Sequence, residues 1–283
     1  MILTIRHETV YHYTAPLAYT IQQLRLSPRI EPQQRCLAWH IATAGKCHSF
    51  TDAFGNVGHM LTITGPHDEV RIEVDGVVDV SSPERGRLQN QNDLSPLLFT
   101  VSTPLTAASA RILDFAAHHL HGMRLPTLDS VQSVQSVRSD DLLKLADAIC
   151  AAVAYQGGST DVTSSADDAL LLGRGVCQDH AHLFLACCRA HRIAARYVSG
   201  YIDPGSSAHA ESHAWIDAWV DDDDYCGWVS IDVTHARFMN DSYCRLAIGR
   251  DYDSAAPVRG VRHGGGDEKL EVHVSVSSSV SAQ

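Results

Sequence analysis

Between Ile2 and Val80 the chain repeatedly alternates apolar and polar residues, with turn formers every few positions. Val70, Ile72 and Val74 point one way while Arg71, Glu73 and Asp75 point the other, the period of a half-buried strand. Residues 2–5, 9–13, 21–26, 37–42 and 60–64 are likewise rich in β-branched and aromatic side chains. Turns are expected at Ser27-Pro28, Glu31-Pro32, Gly45, Phe54-Gly55-Asn56, Gly65-Pro66 and Asp75-Gly76. Many short strands at this spacing predict an antiparallel β-sandwich over residues 1–82. The segment carries no side-chain set suited to catalysis. It is expected to pack beside the remainder of the chain and help wall its cleft.

The pattern then changes. Residues 83–104 are polar and proline-bearing and read as a surface linker. Leu105–Met123 is Ala-rich and follows Thr103-Pro104, a helix entry. Ser139–Tyr155 opens with two aspartates and carries an apolar face of Leu142, Leu145, Ala146, Ile149 and Val153 before Gly157-Gly158. A third helix is expected from Cys177 to about Arg189. Strand patterns return at 196–202, 212–220, 227–233, 244–249, 258–261 and 270–277. Helices followed by an antiparallel sheet predict an α+β domain over residues 105–283.

Composition removes several classes of function. No apolar run approaches the roughly 20 residues of a membrane helix. Twenty-two basic against 33 acidic residues leave a formal charge of −11, and no dense Lys/Arg stripe offsets it. Nucleic acid is therefore not an expected partner, and neither is a membrane. The first residues lack the basic start and apolar core of a signal peptide, and the eight cysteines form no C-x-x-C pair. Reduced thiols in the cytoplasm are the expectation.

Three segments concentrate the chemistry. In Gly173-Arg174-Gly175-Val176-Cys177-Gln178-Asp179-His180-Ala181-His182 a thiol stands at the start of a predicted helix. The positive end of the helix dipole favours its thiolate, the form a nucleophile needs. The alternative is a structural cysteine in a core helix, the expected fate of Cys187 and Cys188. In Ser212-His213-Ala214-Trp215-Ile216-Asp217-Ala218-Trp219 the residues His213, Trp215, Asp217 and Trp219 share one strand face. In Trp228-Val229-Ser230-Ile231-Asp232 a carboxylate sits in an apolar strand, where it needs a partner. If Asp221–Asp224 form the hairpin loop, Val220 lies opposite Tyr225, Trp215 opposite Ser230, and His213 opposite Asp232. Opposed residues project to the same side, so Asp232 would fix the imidazole while its other nitrogen meets Cys177. The four aspartates themselves read as a solvated loop tip.

These residues, in this order, resemble the transglutaminase-like superfamily of papain-type fold. Gly175-Val176-Cys177-Gln178-Asp179, Ala195–Tyr201 and the ending Ile248-Gly249-Arg250-Asp251-Tyr252 with Pro257–Val261 are similar to its bacterial branch of cysteine-peptidase candidates. That branch carries an N-terminal β domain, which Leu26-Ser27-Pro28-Arg29 and Asp52-Ala53-Phe54-Gly55-Asn56 resemble. The resemblance implies Cys177 as nucleophile, His213 as base and Asp232 as orienting acid. Tyr155, Gln178 and Trp215 become candidates for oxyanion or substrate contacts. Tyr155 is equally readable as a core tyrosine. Two positions depart from the family: Val233 stands where proline is usual after the aspartate, and His180 where an aromatic residue is usual. His180, one turn from Cys177, is an alternative base.

The expected function is a thiol enzyme on an amide, through a thioester acyl-enzyme, with a peptide, protein or small-amide substrate. Hydrolysis is favoured over transamidation. A non-catalytic binding module on the same fold is the alternative. No cofactor and no metal are expected: Cys177, His180, His182, His209 and His213, and His118-His119-x-His121, show no standard ligand spacing.

Overall fold

The alternation in the first 80 residues runs straight through two of the expected turns. In the computed structural model, which describes residues 1–89, 94–120, 134–205 and 212–279, Ile2–Leu24 (β1) and Val57–Val80 (β4) are long continuous strands. They pair antiparallel along most of their length, from Ile2 opposite Asp79 to Leu24 opposite His59. Register shifts between His12 and Tyr19 take up the bend that loops would otherwise supply. Gly76 is no turn. A Cβ there would stand 2.0 Å from the Trp39 ring, so glycine provides the seat for the indole. Gln34–Thr43 (β2) and Lys46–Thr51 (β3) pair with successive parts of β4. Leu3, Ile5, Leu17, Leu24, Leu61, Ile72 and Val78 from both ends of the long strands share one buried core.

The other side of β1 is filled from the far end of the chain. Val258–Gly264 (β12) pairs with Leu17–Leu24, and Glu268–Ser279 (β13) with Ile2–Tyr13. The segment from 258 onward, expected in the 105–283 unit, therefore completes the first sheet. Its alternation identified strands but not their partner.

Residues 83–104 are also not a surface linker. Leu88 N–H donates to the Trp228 carbonyl at 2.9 Å. Phe99 is fully buried, edge-on to Trp228 with ring centres 5.5 Å apart. Leu88 and Phe99 anchor this otherwise polar stretch in the core around Trp228. Short 3-10 turns at 96–100 and 104–106 take the place of the expected helix start at Leu105, and the helix itself is Ala110–His119 (α1). Its expected end at 121–123 lies outside the described residues.

Ser139–Ala152 (α2) and Cys177–Ala190 (α4) match the periodicity and bury Leu142, Leu145, Ala146 and Ile149, and Ala181, Phe184, Leu185 and Cys188. Sequence reading missed Ala166–Leu172 (α3), whose signal was present: Ser165 and Asp168 exchange capping hydrogen bonds. Ala154–Tyr155 (β5) and Arg174–Gly175 (β6) form a short parallel pair.

The second sheet is antiparallel. It comprises Ala195–Ile202 (β7), Ser212–Asp221 (β8), Cys226–Asp232 (β9), Arg237–Phe238 (β10) and Tyr243–Gly249 (β11), in the order β10-β9-β8-β7-β11. Helices cover one face, where Tyr197, Ala214, Ile216 and Ala218 join their core. Trp215, Trp228, Val198 and Tyr243 pack on the opposite face with Leu88 and Phe99. Tyr201, Cys244 and Leu246 enter the core of the first sheet. An α+β unit is thus joined to an antiparallel β unit across a shared interior.

Charge also crosses this junction. Arg245, fully buried, donates to Glu31 at 2.6 Å and to both oxygens of Asp217 at 2.9 and 2.7 Å. Arg196 lies 4.3 Å above the Trp228 ring and donates to Asp217 at 2.7 Å. Burial pushes the Asp217 carboxyl up, but the two guanidinium groups outweigh it and hold it well below the usual carboxylate range. Asn56 accepts from and donates to the Ile248 backbone at 2.8 Å each way. The segments around Arg29 and Asn56 are therefore joints between the sheets.

The β8–β9 hairpin differs from expectation by two residues. Asp221 pairs with Cys226 and Asp217 with Ser230, leaving Asp222–Tyr225 as the loop. A shift of two preserves every side-chain face, so His213 and Asp232 still project together, as diagonal neighbours. The aspartates are not merely solvated. Asp221 accepts from Ser136, Asp222 from the Ser139 N–H, Asp223 from Arg138 and Asp224 from Arg87.

Candidate active site

Cys177 owes its position to the turn before it. Val176 donates its N–H to the Asp179 carboxylate at 2.7 Å, and Asp179 and His180 return their N–H groups to the Val176 carbonyl. Asp179 also accepts from Thr160 at 2.6 Å, tying the loop after β5 to the helix start. A Cβ on Gly175 would come within 2.7 Å of Asp179, which requires glycine there. Gln156 donates its N–H to the Gly175 carbonyl at 2.7 Å and holds β5 and the turn after it alongside. As first-turn residues of α4, Cys177 and Gln178 have no intrahelical acceptor for their N–H groups. Both residues border a cleft of about 470 Å³ with Tyr155, Gly157, Gly158, Tyr197 and His213. Ser199, Ser212, Tyr252 and Pro257 complete much of the lining, and no residue of 1–82 takes part. The first sheet backs the second rather than walling this cleft.

His213 is 8% exposed and enters at the start of β8. Its Nε2 lies 2.9 Å from Asp232 Oδ2, and His213 lines the same cleft as Cys177. With Nε2 on the carboxylate, Nδ1 is left for sulfur. Burial works against charge on this imidazole, but Asp232 and then Cys177 outweigh it and raise it to about 10. Asp232, at the end of β9, is fully buried. Burial pushes its carboxyl up, whereas His213 and His235 hold it far below the ordinary range.

Two partners of Asp232 were missing from the sequence reading. Tyr243, on β11, donates its hydroxyl to Oδ2 at 2.6 Å and accepts from Arg237 at 2.8 Å. His235 brings Nδ1 to the same oxygen at 2.7 Å, and its N–H reaches Oδ1 at 3.3 Å. The spacing of three from Asp232 was a legible turn signal for His235; nothing local marked Tyr243.

The other candidates fall into place on this frame. Tyr155, 54% exposed, and Gln178 face the cleft. Trp215 does not: it is fully buried, donates to Ser230 at 3.0 Å and stacks with the His213 ring at 6.0 Å. It supports the imidazole, and its expected substrate contact is corrected accordingly. His180 has both nitrogens engaged, with Thr234 at 3.0 Å and the Val153 carbonyl at 2.9 Å, and burial lowers its basicity. It is a brace between α2, α4 and the end of β9, not a free base. Cys187 and Cys188 are fully buried, and burial pushes both thiols up. His121 and His209 lie outside the described residues.

Nitrogens of His213 and His235 and an oxygen of Asp232 lie within 4.8 Å of one another. Two ligand atoms on a tetrahedral zinc would stand about 3.4 Å apart. Here the contacts are 2.9 and 2.7 Å, the lengths of charge-assisted hydrogen bonds. The set is a hydrogen-bonded cluster.

Residues 3–79 match the family described as the bacterial transglutaminase-like N-terminal region, and residues 127–233 match the transglutaminase-like superfamily. An uncharacterized protein of Mycobacterium leprae is 30% identical, over 97% of this chain and 98% of its own. One from Mycobacterium tuberculosis is 29% identical, over 91% and 86%. Among solved structures, a cysteine protease candidate from Cytophaga hutchinsonii superposes with a TM-score of 0.75 at 22% identity, over 100% of this chain and 92% of that one.

Proposed function

Because the chain belongs to the transglutaminase-like superfamily, in the bacterial branch with an N-terminal β region, we propose that it is a thiol-dependent enzyme acting on amide bonds. The observation that carries this reading is a buried imidazole, hydrogen-bonded to a buried carboxylate, that lines the same cleft as a thiol at a helix start.

In this reading the Cys177 proton rests on His213, and the imidazolium is balanced by Asp232. The thiolate attacks the carbonyl carbon of a peptide or carboxamide. Charge collects on the carbonyl oxygen, which the free N–H groups at the α4 start, Cys177 first, are placed to receive. Tyr155, exposed on the cleft wall, supplies a second donor. The tetrahedral intermediate collapses as His213 passes its proton to the leaving amine, giving a thioester. Water, deprotonated by the now neutral His213, then attacks the thioester, and collapse releases the carboxylic acid and the Cys177 thiolate beside protonated His213. Hydrolysis is the favoured outcome because Cys177, His213 and Asp232 with water suffice for it.

The test is limited iodoacetamide labelling at about pH 6.5 followed by mass mapping. Cys177 is expected to react first. Preferential reaction of exposed Cys36, Cys47 or Cys226 would overturn the assignment. Cys177→Ser should abolish release of amine from a peptide library; retained turnover would do the same.

A further inference from the structure

Asp232 Oδ2 is oversubscribed. It receives His213 at 2.9 Å, His235 at 2.7 Å and Tyr243 at 2.6 Å, while Oδ1 has one long contact at 3.3 Å. His213 and Tyr243 are buried, but the His235 side chain is 48% exposed. The carboxylate that serves the interior imidazole is thus also in contact with an imidazole in equilibrium with solvent. The two ring centres are 5.5 Å apart. His235 lies two residues beyond the stretch that matches the superfamily.

We infer that His235 is a positioning residue that competes with His213 for Asp232 and, once protonated by solvent, disarms Cys177. The inference rests on the Cys177–His213 ion pair proposed above. When His235 is neutral, its Nδ1–H orients the carboxylate, and Asp232 has a single cation to balance, the His213 imidazolium. When His235 gains a proton, two cations share one carboxylate. The repulsion is relieved when His213 Nδ1 returns its proton to Cys177 sulfur. The set then holds one imidazolium at His235, one carboxylate, a neutral His213 and an unreactive thiol. The proton count balances: one enters from solvent at His235 and one moves from nitrogen to sulfur.

The surroundings favour His235 as the variable member. Arg237 on β10 donates to the Tyr243 oxygen on β11, so that charge is fixed. On α2, Cys150 donates to the Val233 carbonyl at 2.8 Å, and Asp147 acts on it from the same helix. On α4, His180 is held by Thr234 and the Val153 carbonyl. His235 is the solvent-reaching imidazole of this set. Two unit charges 5.5 Å apart in surroundings of intermediate polarity shift a titration by about one to two pH units.

The experiment follows the rate of Cys177 alkylation by iodoacetamide in the full chain from about pH 4 to 9 and needs no substrate. His235→Asn keeps an N–H where Nδ1 stands but cannot be protonated; His235→Ala removes the donor as well. The acid limb of the rate profile should move down by about one to two pH units in both variants. On the alkaline plateau His235→Asn should react faster than His235→Ala, because it keeps a donor to Asp232. A purely structural role would change the unfolding temperature and leave the limb in place. Acid limbs that coincide with the parent in both variants would overturn the inference while leaving the ion pair intact. If Cys177 in the parent reacts no faster than Cys226, the ion pair falls, and the inference with it.

Discussion

Asp217→Asn removes one charge from the most deeply buried ionic contact at the junction of the two sheets. Asp217 and Arg245 are both fully inaccessible, and Arg196 is 5% exposed. The substitution keeps the shape but takes the carboxylate from Arg196 and leaves Arg245 with Glu31, at 2.6 Å, an anion that Arg29 already holds at 2.7 Å. Breaking a buried pair from one side costs about 3–5 kcal/mol, because the remaining charge stays desolvated. At about 2.1 cal/mol/K per residue, a chain of 283 residues unfolds with an entropy of about 0.6 kcal/mol/K near its midpoint. The expected drop in Tm is therefore about 5–8 °C, measured by circular dichroism at neutral pH. The sign of the pH dependence follows from the depressed Asp217 carboxyl. Between its folded and unfolded values the unfolded chain binds more protons, so the contribution is complete above about pH 4 and fades as acid approaches the folded value. The gap between parent and variant should accordingly narrow in acid. A variant within about 1 °C of the parent at pH 7 would show that these guanidinium groups are hydrated and that the burial argument fails.

Burial lowers His182 to about 4, and it is fully inaccessible, so the folded chain holds it neutral. The unfolded chain binds its proton from about pH 6.5 downward, so stability should fall between pH 6.5 and 4 by about 3 kcal/mol from this group, and His182→Gln should flatten that part of the Tm–pH curve; an unchanged slope would refute it. A fragment spanning 105–283 would leave β12 and β13 without β1, and Arg245 without Glu31. It should unfold without a cooperative transition in calorimetry, and a sharp transition would show that the second sheet is self-sufficient.

The sequence carried the site further than the architecture, for a physical reason. His213 and Asp232 sit on strands, where a side chain's face depends only on odd or even position. The hairpin register was misread by two, because Tyr225 joined the loop in place of Asp221, yet both residues kept their face. Cys177 was legible from the glycines and the helix that frame it. Gly76 was not, because a turn glycine and one that seats Trp39 look alike along the chain. Phe99 was hidden in a polar stretch, and its burial depends on Trp228, 129 positions away. Strand pairing across the whole chain, as between β1 and β13, leaves no local mark. Tyr243 and Arg245 sit in a strand read only for its apolar pattern, and their partners lie on other strands.

The pairing of Ile2–Tyr13 with Glu268–Ser279 also sets an order of events in synthesis. A ribosome adding about 5–20 residues per second takes roughly 10–50 s to travel from the end of β1 to β13. For that interval the nascent chain can form the β1–β4 ribbon, but the other edge of β1 stays open, and an open edge is a template for pairing with neighbouring chains. Closure waits for nearly the last residues to leave the exit tunnel. Products truncated just short of β12 would therefore carry a complete α4 helix and β8–β9 hairpin beside a sticky, half-built sheet, and they are the species a chaperone would most need to hold.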